Sequence, residues 1–382
     1  VNNSVELLNP PLDYGCVNRL YIHNPNAYDP DGDSLSYKLT ICRGAGGLPI
    51  PGYTLPAASN SFTIDELTGD LIWDLPTIQG EYNVAFIVEE WRLGQRIGYV
   101  TRDLQIQIVA CDNEPPEIVQ LDDTCVIAGE VIGLTFNATD PDGDKLVLSG
   151  AGSPFLQNQN PAVMVPNPAY GDGSVEAEFS WATNCSHIRK ASHIVYLKAK
   201  DTLTDVNLTS YSSFGIQVIG PPPDLFEALP IGNSITVNWD QYGCANATGY
   251  SLYRKSSYYG FIPGYCETGV PGYTGYSKSA TIDGLTTTSY VDDNQGEGLV
   301  HGIEYCYMIT AMFPDGAESK ASLEVCATLK KDLPIITNLS IETTNAANGV
   351  VYVAWSKPTE LDLEITPGPF QYRVLRSSQE GS

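Results

Sequence analysis

One short acidic sequence occurs twice in this chain. Asp29-Pro30-Asp31-Gly32-Asp33 precedes Leu35-Ser36-Tyr37-Lys38-Leu39, and Asp140-Pro141-Asp142-Gly143-Asp144 precedes Leu146-Val147-Leu148. Pro and Gly force a turn in each copy, and the residues after it read as a strand. A repeat of this kind marks two similar modules in tandem and argues against one large domain. It also packs three carboxylates into five residues, where they repel one another unless a cation lies between them. Oxygen-only ligands on a turn suit a hard ion, above all calcium.

The 382 residues include 35 Gly, 26 Pro and 23 Tyr, and the helical period is nowhere sustained. Many short strands joined by turns, hence an all-β chain of several domains, is the expectation. The net charge of −25, from 45 acidic and 20 basic residues, argues against nucleic acid and anionic membrane surfaces as partners. No apolar run approaches the ~18 residues of a spanning helix, so direct membrane insertion is not expected. Val1 begins without an initiating Met or a signal peptide, so the chain reads as processed or as part of something longer.

Composition and turn signals divide the chain at 1–112, 113–220, 221–332 and 333–382. The linker Asp112-Asn113-Glu114-Pro115-Pro116 closes the first module, and Gly220-Pro221-Pro222-Pro223 is a stiff boundary after the second. In the first, Tyr82, Val84, Phe86 and Val88 alternate before Glu89-Glu90. In the second, Val175, Ala177, Phe179 and Trp181 alternate, then Val195, Leu197 and Ala199 lead to Asp201. The fourth has about three expected strands, Val350–Trp355 and Gln371–Arg376 among them, too few to cover an apolar face. Continuation beyond Ser382 is therefore expected. Trp73, Trp181, Trp239 and Trp355 are expected in the cores, and Trp91 at the surface.

Nine Cys lack zinc-type spacing and read as disulfides of an oxidising compartment. Cys306 and Cys326 lie symmetrically about Pro314-Asp315-Gly316, so a hairpin in that register sets them opposite each other. Cys244 with Cys266, Cys125 with Cys185, and Cys16 with Cys111 complete a set within modules and leave Cys42 over; sequence does not settle the connectivity. Nucleophile elbows, phosphate loops and metalloprotease motifs are absent, so the chain is not expected to be an enzyme. His187 and His193 are expected at the surface, and His23 and His301 stand isolated. Tyr258-Tyr259-Gly260-Phe261 and Tyr273–Tyr276 read as packed long-loop segments, with stacking on sugars or protein as the alternative.

The acidic turn with Thr68-Gly69 before Ile72-Trp73, and a closing strand ending in an acid, resembles the cadherin-like immunoglobulin-fold modules of bacterial surface proteins. Residues 224–331 and 333–382 look like fibronectin type III modules, through Trp239, Trp355, Tyr250, Tyr253, Tyr372, Leu285, Tyr290, Tyr305 and Tyr307. The order as a whole resembles Bacteroidetes secreted proteins that carry a gliding-motility-associated C-terminal domain and leave by type IX secretion. The stretches carrying that resemblance include Pro49-Ile50-Pro51-Gly52-Tyr53, Gly80-Glu81-Tyr82-Asn83 and Trp355-Ser356-Lys357-Pro358. It implies tandem immunoglobulin-like β-sandwiches, two cadherin-like and then fibronectin type III-like, joined end to end on a bacterial cell surface.

In such a sandwich the acidic turn and the sixth-to-seventh strand turn share one pole, beside the incoming linker. Asp201 has the parity of Val195, Leu197 and Ala199, and Glu90 that of Val84, Phe86 and Val88. The expected calcium ligands are therefore Asp140, Asp142, Asp144 and Asp201 with linker residues Asp112 and Asn113 in the second module. In the first they are Asp29, Asp31, Asp33 and Glu90. The function this implies is a structural and adhesive surface protein, calcium-stiffened and disulfide-stapled, able to assemble into a filament. Its partners would be copies of itself or other surface proteins, glycans, and the type IX machinery. The alternative is the noncatalytic module array of a secreted hydrolase or a carbohydrate-binding protein.

Overall fold

A computed structural model describes residues 2–202, 206–330, 334–345, 348–361 and 368–375. Its regular elements are strands, apart from four single-turn 3-10 helices among the described residues. Strand Ser174–Ala182 shows why: Val175, Ala177, Phe179 and Trp181 are buried and every residue between them is exposed, the two-residue period of a half-buried strand.

In the first unit, strands Leu12–Cys16, Gln95–Val109, Gly80–Arg92 and Ser34–Thr40 lie side by side in that order, the first parallel to the second. A three-stranded sheet of Tyr21–His23, Leu71–Trp73 and Phe62–Ile64 completes the unit. Trp73, Phe86, Val88 and Ile106 belong to their shared core. In the second unit, sheet order is Glu117–Ile118, Val131–Thr139, Ser174–Ala182, Val163–Val165. The companion sheet is Thr124–Ile127, Thr209–Ile219, His193–Asp201, Lys145–Gly152, Ala169–Asp172, again with its first strand parallel to the second. The third unit sets Leu225–Ile231, Ser234–Trp239 and Ser289–Asp292 with Ser277–Asp283, Gly249–Ser256, Glu304–Met312 and Val325–Thr328. The chain is thus a multi-domain, disulfide-containing, all-β protein of several small, mostly antiparallel sheets. Past residue 334 the described strands are one hairpin, Ile335–Thr343 with Val350–Ser356.

Several expectations are corrected. Residues 371–375 form no strand, and Arg376 lies outside the described residues. Trp355 is 37% exposed because, among the described residues, one hairpin and the Tyr372 ring do not enclose it, whereas Trp73, Trp181 and Trp239 are fully buried. Trp91 is half-buried and donates to Ser36 Oγ (2.9 Å). His187 and His193 are not surface residues: both are buried against the Trp181 ring, and desolvation holds their pKa values down. His23 is buried too, with Nδ1 2.9 Å from Asp13 Oδ2.

The disulfides bring the largest correction. Cys16–Cys111 and Cys306–Cys326 pair as expected, and Cys306 faces Cys326 in the ladder. Cys125, however, bonds Cys266, and Cys185 bonds Cys244, with Cα separations of 5.8 and 5.4 Å. Short loop closure favours the pairs within modules, but Cys125 and Cys185 belong to opposite sheets of the second unit. Cys125 lies in the strand parallel to Thr209–Ile219, and Cys185 opens the turn after Ser174–Ala182. Each reaches across to the third unit instead. The hydrophobic core is continuous across that boundary. Cys42 is buried and free.

The first two units are not joined end to end alone. Tyr211 Oη donates to Asp13 Oδ2 (3.3 Å), Tyr196 Oη to the Ala27 carbonyl (3.3 Å), and Arg19 pairs with Glu114 (2.8 Å). The flank of the second unit carries the first.

Candidate metal centre

Both acidic turns fold identically, for a reason legible in their residues. Asp140 Oδ1 accepts the N–H groups of Asp142 and Asp144, both at 3.0 Å, and Asp29 Oδ1 accepts those of Asp31 (2.9 Å) and Asp33 (3.0 Å). Gly143 and Gly32 then turn the chain at φ +84° and +81°, where a Cβ would be strained. The three carboxylates of each turn each offer an oxygen within 4.8 Å of the others. A third group of this closeness, Glu304 with Cys306 and Cys326, offers no thiolate because its sulfurs are bonded to each other.

At the second turn, register sets Asp201 opposite Leu146, two residues past Asp144, and leaves it fully buried. Its Oδ1 accepts the Leu208 N–H (2.9 Å), and its Oδ2 accepts from Asn113 Nδ2 (2.7 Å). The Glu114 N–H donates to Asp142 Oδ2 (2.7 Å), drawing the linker over the turn. Burial first, then repulsion from Asp140 and Asp144, pushes the Asp201 carboxyl up to about 6 against its two hydrogen bonds. Asp144 is raised as well, by desolvation and by Asp140 and Asp142. Two buried acceptors here, Asp140 Oδ2 and Asn113 Oδ1, have no donor. Buried acceptors are ordinarily satisfied, and two oxygens without a protein donor beside three carboxylates fit the ligand set of a hard cation. Asp112 is exposed, one residue before this cluster.

The first turn repeats the plan. Glu90 is buried, and its Oε1 accepts the Val5 N–H while its Oε2 accepts from Asn2 Nδ2, both at 2.8 Å. Gly98 faces Glu90 across the ladder, and a Cβ there would strike its carboxylate. Asn3 N–H donates to Asp31 Oδ2 (2.6 Å), as Glu114 does to Asp142, and holds the Asp31 carboxyl below its usual range. Asp29 Oδ2 is again buried without a donor, and burial raises the Asp29 pKa.

Asn2 is therefore the counterpart of Asn113, which the sequence reading missed. The signal was present: Asn2 precedes Asp29 by the same 27 positions (29 − 2) as Asn113 precedes Asp140 (140 − 113). Arg92 was missed too. It grips Asp33 through Nε and Nη2, both at 2.7 Å, so the first turn carries its own cation. Across the boundary Arg189, desolvated to a pKa of about 10, lies beside Tyr28, Asp29 and Asp315.

No family model matches this chain, and no curated protein matches it. Among solved structures it is similar to a three-domain I-band fragment of titin, at 10% identity over 85% of this chain and 97% of that one, with a TM-score of 0.28. A second titin fragment aligns at 11% identity over the same shares with a TM-score of 0.24. The spore cortex lytic enzyme SleM of Clostridium perfringens aligns at 15% identity over 42% of this chain and 34% of that one, with a TM-score of 0.22. Likeness of this degree carries no functional argument, and the fold class rests on the sheets described above.

Proposed function

We propose that this chain is an extracellular structural and adhesive protein whose acidic turns hold calcium and whose disulfides lock successive modules together. The observation carrying this reading is the pair of donorless buried oxygens, Asp140 Oδ2 and Asn113 Oδ1, beside Asp142, Asp144 and Asp201. Calcium takes 6–8 oxygens and tolerates irregular geometry, which suits carboxylates and an amide better than the strict octahedron of magnesium. The ligand residues would be Asp140, Asp142, Asp144, Asp201 and Asn113, with Asp112 adjacent. Bound there, the ion supplies charge neutralisation and ties the incoming linker to the pole of the second unit. The first turn, with Asp29, Asp31, Asp33, Glu90 and Asn2, is the weaker site because Arg92 already neutralises Asp33.

A stiff junction, followed by two interdomain disulfides, describes a scaffold rather than an enzyme. The cadherin-like and fibronectin type III-like resemblances, and that to type IX-secreted Bacteroidetes surface proteins, support display at a bacterial surface and partnership with copies of itself or other surface proteins. Negative-stain microscopy in calcium and then in chelator tests the reading. Single-outline particles or filaments that loosen or fall apart on chelation are expected. Outlines indifferent to chelator would refute calcium stiffening.

A further inference from the structure

Residues 257–276 connect strands Gly249–Ser256 and Ser277–Asp283, a connection long enough to need a reason. It is held rigid from four directions. Cys266 is bonded to Cys125. The Glu324 carboxylate accepts the N–H groups of Tyr259 (3.1 Å), Gly260 and Phe261 (3.2 Å) and the Tyr276 hydroxyl. Lys320 Nζ donates to the carbonyls of Gly264 (2.6 Å) and Tyr265 (3.0 Å). Phe261 and Tyr276 are buried with Cys306, Met308 and Ala321 in a small core of their own.

The same segment turns four other rings outward: Tyr258, Tyr259, Tyr265 and Tyr273 are 66, 45, 55 and 68% exposed, and of these Tyr265 is engaged with the second unit through its hydroxyl on Glu130. A loop that needed only to pack would bury its aromatics, as it does Phe261 and Tyr276. The outward rings are also fixed. Tyr273 lies edge-on to Phe261 (6.3 Å between centroids) and donates its hydroxyl to Glu267 Oε1 (3.0 Å). Lys255 Nζ backs the Tyr259 ring at 4.6 Å, and Glu304 Oε2 accepts the Tyr258 N–H (3.2 Å). Tyr259 and Tyr273 are tied to one framework: Glu324 accepts the N–H groups of Tyr259 and Phe261, and Tyr273 packs on the Phe261 ring. Such an exposed, ordered aromatic patch marks a binding surface, and tyrosine offers contact area at small entropic cost.

We infer that Tyr258, Tyr259 and Tyr273 form a stacking platform for a neutral oligosaccharide. Charge selects the ligand class. Glu267, Glu304 and Glu324 beside Lys255 and Lys320 leave a local balance of −1 (2 − 3) in a chain of −25, a setting for an uncharged ligand. Chemistry selects sugar over protein. A protein covering the exposed Glu304 carboxylate would strip its water at a cost, whereas hydroxyl groups replace that water by donating to it while apolar ring faces stack on the tyrosines.

The platform lies in the third unit and does not depend on the calcium reading. Affinity electrophoresis tests it, in gels containing chelator and one of laminarin, xylan, galactomannan or hydroxyethylcellulose. Retardation by at least one of these is expected. Tyr259→Ala and Tyr273→Ala should each weaken it on the order of tenfold, with melting temperatures unchanged because the rings are exposed. Tyr273→Phe, which keeps the ring, and Tyr170→Ala, an exposed tyrosine of the second unit, should behave as the parent. Parent mobility unaffected by all four polysaccharides overturns the inference, and so does retardation that survives both alanine variants. A protein partner whose capture is lost in Tyr259→Ala, without any glycan retardation, overturns it in favour of a protein surface.

Discussion

Replacing Asp140 and Asp142 together by Asn tests the metal centre most directly. Asn keeps an oxygen able to accept the Asp142 and Asp144 N–H groups at position 140 and the Glu114 N–H at position 142, so the turn survives. What changes is charge. In chelator at pH 7 the parent holds Asp201 ionised although its folded pKa is about 6 rather than the usual 3.8, which costs up to about 3 kcal/mol. The sign follows from proton binding: a carboxyl raised on folding keeps a proton that the unfolded chain releases. Stability from Asp201 is therefore lost as pH rises from about 4 to about 6 and stays lost above. The ion-free parent should be more stable at pH 5 than at pH 7 by about 1 kcal/mol from this group. Calcium removes the penalty. At about 5 mM, with a dissociation constant of ~10⁻⁴–10⁻³ M, it adds about 1–2 kcal/mol. Because the second and third units share one core and two disulfides, the melting unit is about 200 residues, and that raises the melting temperature by about 2–8 °C. The double variant should melt higher than the parent in chelator and ignore calcium. Scanning calorimetry decides: a parent that melts identically with and without calcium at pH 7 refutes the argument.

Three further outcomes are expected. Calcium binding should release protons near pH 6, read as a dependence of the titration heat on buffer ionisation enthalpy; a buffer-independent heat would contradict the raised Asp201 carboxyl. Removing the internal cation with Arg92→Ala should strengthen the first site several-fold, measured by calcium titration in the Asp140→Asn, Asp142→Asn background, and no gain would mean that Arg92 does not compete. Non-reducing peptide mapping should recover Cys125–Cys266 and Cys185–Cys244 peptides, and Cys125→Ser with Cys266→Ser should speed proteolysis between the second and third units; a Cys125–Cys185 peptide would contradict the interdomain locks.

The repeated acidic turn was readable because its geometry is local. Pro fixes one φ, Gly supplies the positive one, and the first Asp bonds N–H groups two and four residues on, so five residues suffice. The burial of Glu90 and Asp201 was readable for a related reason: strand period is two, and each acid shares parity with a run of apolar residues. Cys306 opposite Cys326 needed only a turn midway between them.

Other features depend on surfaces meeting that sequence order does not name. Cys125 and Cys185 are sixty positions apart in one unit (185 − 125), yet one lies in a strand of one sheet and the other in the turn after a strand of the facing sheet, and each bonds a cysteine of the third unit. His187 and His193 look like surface polar residues until Trp181 and Ser153 enclose them, with Ser153 Oγ 2.8 Å from His193 Nδ1. Arg92 reaches Asp33 only because two long strands set their ends beside the acidic turn. The sequence by itself therefore determined most of the strands, the acidic turns and the burial of the acid beside each, since these follow from backbone dihedrals and a two-residue period. Tertiary structure alone decided the two disulfides that cross between units, which acids already own a cation and which tyrosines face water, because those outcomes depend on contacts between residues that chain separation leaves free.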